Sequence, residues 1–118
     1  MNTKLTNILL ISYTLLIAIG SSIPSTNIPK LDLFSSDKVL HILEYFFLGY
    51  LLINVLIDKT NHPGLLTFFL GLLFGVMDEI YQSTVFGRFS SSFDVIADAI
   101  GLTLSIIIFQ KFSDIMNR

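Results

Sequence analysis

Apolar positions in this chain fall into four long blocks, at 5–23, 39–57, 65–81 and 93–112. A helix needs roughly 17–25 mainly apolar residues to cross a bilayer, and each block meets that length. Short stretches carrying turn residues separate them: "PSTNIPKLDLFSSDK", "DKTNHPG" and "QSTVFGRFSSS". The pattern predicts an all-α fold, an integral membrane four-helix bundle, built as a single domain over 1–118. No internal repeat or low-complexity tail interrupts it.

The polar residues inside these blocks are not scattered. If the helices alternate in direction, the start of the second, the end of the third and the start of the fourth share one membrane face. The second block brings Asp37, Lys38, His41, Glu44 and Tyr45 to that face. The third brings Asp78, Glu79 and Gln82, the loop after it Arg88, and the fourth Asp94 and Asp98. Residues three or four apart lie on one side of a helix. Three stripes result: Asp37–His41–Glu44–Tyr45, Gly71–Gly75–Asp78–Gln82 and Asp94–Asp98–Gly101–Ser105. The Gly71-x-x-x-Gly75 spacing allows close helix approach in lipid. At a rise of about 1.5 Å per residue, Asp98 lies roughly 6 Å deeper than Asp94.

Capping accounts for some of these acids. Asp37 follows Ser35-Ser36 and suits a helix N-terminus, and Asp94 follows Ser91 by three, as in a capping box. Lys38 and Arg88 suit interfacial anchoring. Glu44 and Asp98 are too deep for capping. Asp78 and Glu79 read in part as acids at the membrane boundary, yet Ile80 and Tyr81 continue the apolar pattern past them. His62, before Pro63, reads as a turn residue.

Composition fits this reading. Hydrophobic residues make up 53% and charged residues 14% of the 118, with mean hydropathy +0.75. Soluble domains carry about 25% charge. Net charge is −2 with no basic patch, which argues against a nucleic-acid partner. The absence of cysteine excludes disulfides, thiolate metal sites and cysteine nucleophiles. The polar face carries six carboxylates against Lys38 and Arg88, a balance of −4 with His41 neutral. Such an excess calls for shared protons, a positively charged ligand or a bound divalent cation, for which Mg²⁺ or Ca²⁺ suits oxygen ligands. No fixed metal-ligand spacing accompanies it.

Four Lys/Arg flank the helices on the side of the termini (Lys4, Lys59, Lys111, Arg118) and three on the other (Lys30, Lys38, Arg88). The expected setting is the plasma membrane, multi-pass, with both termini in the cytoplasm and the polar face outside. The first block partly matches a signal peptide, with Lys4, an apolar run and small residues Ala18, Gly20 and Ser21. Its length favours an uncleaved helix.

Three segments resemble the motifs of the VanZ-like family: "DKVLHILEY", "DEIYQSTVFGR" and "SSSFDVIADAIG". Asp37, Lys38, His41 and Tyr45 match the first motif. Asp78, Glu79, Gln82, Gly87 and Arg88 match the second, and Asp94 and Gly101 the third. Asp98 stands where the family usually has Asn. The resemblance covers roughly residues 35–105 and implies a four-helix membrane protein. The family takes its name from resistance to glycopeptide antibiotics of the teicoplanin type.

Three functions are open to such a chain. One is binding an amphiphile, either an envelope lipid or a lipoglycopeptide antibiotic, with Lys38, His41 and Arg88 on anionic groups. This would serve glycopeptide resistance or cell-envelope maintenance. Another is a membrane-embedded hydrolase or transferase acting on a lipid-linked phosphate or ester, with His41 or Glu79 as base and Arg88 stabilising charge. The last is a proton or ion pathway, or an assembly partner. Membrane lipids are expected partners throughout, and a homo-oligomer is compatible with each.

Overall fold

The computed structural model describes residues 2–23, 34–87 and 92–116, with the side chains of 34–37 outside that description. Helix α1 (Thr3–Ser21) starts at Asn2, whose side chain accepts from the amides of Lys4 at 2.9 Å and Leu5 at 3.4 Å. Helix α2 spans Phe34–Leu56, α3 Pro63–Thr84 and α4 Ser92–Met116. Pro63 opens α3, where its missing N–H costs nothing and its fixed φ suits the first turn. Gly87, at φ 78°, turns the chain after α3 in a conformation that disfavours side chains. All four helices are long and apolar enough to cross a membrane.

The apolar blocks find every helix, but the helices reach further into polar sequence. Helix α2 begins at 34 rather than 39, α3 runs on to 84 rather than 81, and α4 to 116 rather than 112. Helix α1 sits two residues early, at 3–21 rather than 5–23, because Asn2 caps it. Hydropathy marks where lipid ends. Backbone hydrogen bonding continues past that line at little cost, since polar side chains there reach water.

The helices run up, down, up, down. Ser21 at the end of α1 meets Asp78 near the end of α3, and Lys38 near the start of α2 meets Asp94 at the start of α4. Helices α2, α3 and α4 form the tight part of the bundle. A methyl group at Gly101 would strike the backbone of Ile42 and Phe46, so α4 lies directly on α2. Gly49 of α2 faces Ser105 and Leu102, and Gly71 of α3 faces Leu102. Without a hydrophobic force between helices in lipid, such close backbone approach supplies the packing. Tyr45, Leu48 and Leu102 are buried at the centre with Ile17 of α1, and Leu10 and Tyr13 of α1 pack against them. Helix α1 packs against α2 and α3 but does not reach α4.

Candidate functional site

Two polar clusters form on the face where α1 and α3 end and α2 and α4 begin. In the first, Lys38 Nζ donates to Asp94 Oδ1. His41, one turn further along α2, faces two aspartates of α4: its Nε2 lies 3.7 Å from Asp94 Oδ2 and its Nδ1 3.0 Å from Asp98 Oδ1. The i, i+3 spacing of Lys38 and His41 thus meets the i, i+4 spacing of Asp94 and Asp98 across one helix contact. Both aspartates are 1% exposed. Gly75 lets α3 come close: a Cβ there would lie 2.9 Å from Asp98 Oδ2 and 3.3 Å from the Tyr45 ring.

Tyr45 is completely buried beside this cluster, and its hydroxyl finds no hydrogen-bond partner among the described residues. Its ring packs against Phe74, with centroids 6.3 Å apart.

The second cluster joins α1 to α3. Ser21 Oγ donates to Asp78 Oδ1. Gln82 Nε2 donates to Ser21 Oγ at 3.1 Å and to Asp78 Oδ2 at 3.2 Å. These donors account for Asp78, which is 7% exposed and so does not merely face water at the membrane edge. Nearby, the Ser22 and Tyr81 hydroxyls share a 2.7 Å hydrogen bond, and Tyr13 OH donates to the Glu44 carbonyl at 2.6 Å. The α1 residues are the part that sequence reasoning missed. Ser21 read as a small residue of a cleavage-like pattern, yet the alternating direction of the helices already put the end of α1 on the polar face.

Between α1 and α2 lies a cavity of about 360 Å³. Leu16, Ile17, Ile23 and Leu40 give it apolar walls. Tyr13, Ser21, His41, Glu44 and Gln82 supply its polar lining. A shallower groove of about 440 Å³ runs along the other side of α1, between Leu15 and Ile19 on one hand and Phe74 and Met77 on the other. Asp78 and Tyr81 border it.

The expected site residues therefore divide. Lys38, His41, Asp94 and Asp98 form one chain of charges, while Asp78 and Gln82 belong to the α1–α3 cluster. Glu44 is half-buried and borders the cavity. Glu79 is half-buried one residue from Asp78 and does not line the cavity. Lys38 holds Asp94, where the sequence suggested a contact with an anionic ligand. Arg88 and the capping Ser91 lie outside the described residues, as does the Asp37 side chain; the Asp37 backbone is in the first turn of α2. Among the described residues no group of three or more His, Asp or Glu is arranged to hold a metal ion.

A family model described as VanZ/LLP1 matches residues 3–114. The chain belongs to the VanZ/LLP1 family. No curated protein and no solved structure matches it. The VanZ/LLP1 match takes in all three polar motifs and also α1, whose Tyr13, Ser21 and Ser22 complete the polar face.

Proposed function

We propose that this VanZ/LLP1 protein binds an amphiphile of the cell envelope in the cavity between α1 and α2. The observation that carries this reading is the lining itself, apolar along one wall and polar at Glu44, His41 and Gln82. An acyl chain suits Leu16, Ile17, Ile23 and Leu40, and a polar head suits the other side. Binding sites of this kind combine largely apolar walls with a few placed polar groups. With the termini in the cytoplasm of a plasma-membrane protein, the site opens on the extracytoplasmic side, where envelope lipids and lipoglycopeptide antibiotics of the teicoplanin type are encountered. A role in envelope maintenance or glycopeptide resistance follows from holding such a molecule.

The geometry favours binding over catalysis. A general base needs a nitrogen or oxygen within reach of the substrate's proton. Both ring nitrogens of His41 face aspartate oxygens instead. A proton path through the bilayer is also poorly served. Ser105 Oγ donates to Leu102 O and Asn54 Nδ2 to Tyr50 O, so both bond back to their own helix.

Gly20 provides the test. It lines the cavity, and a Cβ added there meets nothing within 4 Å. Gly20→Leu directs a branched side chain into the space its Cβ opens on. It is expected to abolish retention of co-purified amphiphile, measured by native mass spectrometry, with thermal stability unchanged. Full retention in a folded Gly20→Leu protein would remove the cavity as the binding site.

A further inference from the structure

We infer that the cavity takes its ligand sideways from the bilayer: one acyl chain of a membrane-resident amphiphile enters through a slot between α1 and α2 rimmed by Leu16, Ile23 and Leu40. This rests on the cavity being the ligand site and adds where the ligand comes from and which part of it enters.

The rim carries the argument. Leu16, Ile23 and Leu40 line the cavity, yet they are 63%, 43% and 50% exposed. Leu16 precedes the end of α1 at Ser21, and Leu40 follows the start of α2 at Phe34. At about 1.5 Å per residue, both sit roughly 8–9 Å inside the ends of helices long and apolar enough to span. Surface exposed at that depth meets acyl chains, not water. The open side of the cavity is therefore apolar and turned to lipid. The opposite side is closed by Ile17, Ser21, His41 and Gln82, which are 4%, 2%, 5% and 2% exposed. The deep end is closed as well. Tyr13 OH donates across from α1 to the Glu44 carbonyl of α2 at 2.6 Å, and Tyr13 packs against the buried core. A chain sliding from lipid onto Leu16 and Leu40 exchanges one apolar surface for another, whereas a route through water exposes every methylene. The space is also small. A water-sized group takes about 30 Å³, so a volume of about 360 Å³ holds about a dozen methylenes, the greater part of one chain and not two.

The test uses the full chain in phosphatidylglycerol vesicles. The sequence has no cysteine, so Leu16→Cys with Leu40→Cys gives a single pair, on the two sides of the slot. Bis-methanethiosulfonate reagents of graded length bridge the pair, and a mass shift counts the bridged fraction. The probe is chain-deuterated dioleoyl phosphatidylglycerol, brought into the bilayer by vesicle fusion. Native mass spectrometry follows its replacement of the unlabelled lipid on the protein. Bridging should slow exchange about tenfold, with reduction restoring it and the amount bound unchanged. A bridge across the groove on the other side of α1, between Ile19→Cys and Met77→Cys, should leave exchange fast. Leu40→Trp narrows the rim without a reagent; it should also slow exchange, and it stands if the cysteine pair does not bridge. Oleoyl lysophosphatidylglycerol, with one chain, should be retained within about threefold of the two-chain lipid. A much weaker lysolipid overturns the single chain. Exchange unaffected by the slot bridge and by Leu40→Trp, with retention still lost in Gly20→Leu, overturns the slot and leaves the cavity as the binding site. Slowing by the groove bridge alone moves the entrance to the α1–α3 side and overturns the slot as well. Displacement by soluble glycerophosphoglycerol, the head without chains, overturns the bilayer as the source. Retention unaffected by Gly20→Leu overturns the cavity itself.

Discussion

Helix α1 and the trio α2–α3–α4 are held by different physics. In the trio, glycines bring backbones together, and the charges between α2 and α4 lie within that contact. Helix α1 has side-chain hydrogen bonds to its neighbours from Ser21 and Ser22 at one end and from Tyr13 at mid-helix, and a cavity or groove on each side. Within its most apolar stretch 11% of residues are buried, against 33% in α4. A helix fastened by a few polar contacts can shift without unmaking the core beside it. The division of labour is a rigid frame that fixes His41, Asp94 and Asp98, and a looser wall that closes a cavity beside His41.

The largest expected effect that would break this contrast is at Gly101. Its Cβ would meet the carbonyl of Ile42 and the amide of Phe46, and backbone cannot swing aside as a side chain does. Gly101→Ala should cost about 3 kcal/mol, near the upper end for overpacking, and show as a large fall in melting temperature in detergent. A fall no greater than that of an exposed substitution would mean that α2 and α4 are not in tight contact. Next comes the charge chain. Asp98→Leu leaves His41 Nδ1 facing apolar carbon where a carboxylate stood, at a cost of about 3 kcal/mol for breaking a buried pair. Asp98→Asn keeps an acceptor for the ring and should cost under about 1 kcal/mol. Comparing the two by thermal melting separates the need for hydrogen bonding from the need for charge at that position.

Much of this frame was legible in the sequence. The stripes Gly71–Gly75–Asp78–Gln82 and Asp94–Asp98–Gly101–Ser105 are buried along their whole length, because 3.6-residue periodicity survives any tertiary arrangement. Which acid pairs with which cation was not legible. That depends on the helix crossing, and Lys38 meets Asp94 only because Gly101 lets α4 settle against α2 at a depth no spacing rule supplies. The role of α1 was hidden for another reason. Its polar contacts come from serine and tyrosine hydroxyls, which are compatible with lipid-facing sequence and raise no signal until Asp78 is placed beside them. Its apolar residues gave no stripe either, since most of them face outward.

Smaller effects should sharpen the α1 side of the comparison. Ser21→Ala removes a donor from Asp78 and an acceptor from Gln82, both buried. The expected loss is about 1–2 kcal/mol. It should be local: α1 becomes more accessible to hydrogen exchange or protease while the amides of α2 and α4 stay protected. Exchange spreading equally into α4 would show that α1 is part of the rigid frame.

The smallest effect makes the sharpest contrast, because it repeats the same change in the other region. Gly20→Ala adds the methyl group that Gly101 cannot accept, at a place where it meets nothing within 4 Å. Alanine loses less backbone entropy than glycine in a helix, so the substitution should be neutral or stabilising by about 0.5 kcal/mol. The sign is therefore opposite to that at Gly101. A methyl is also too small to fill a space of about 360 Å³, so Gly20→Ala should keep its bound amphiphile where Gly20→Leu loses it. Melting temperature and retained lipid, read on the same three proteins, then separate the packing of the frame from the occupancy of the space beside α1. If Gly20→Ala destabilises as Gly101→Ala does, the space beside α1 is not open.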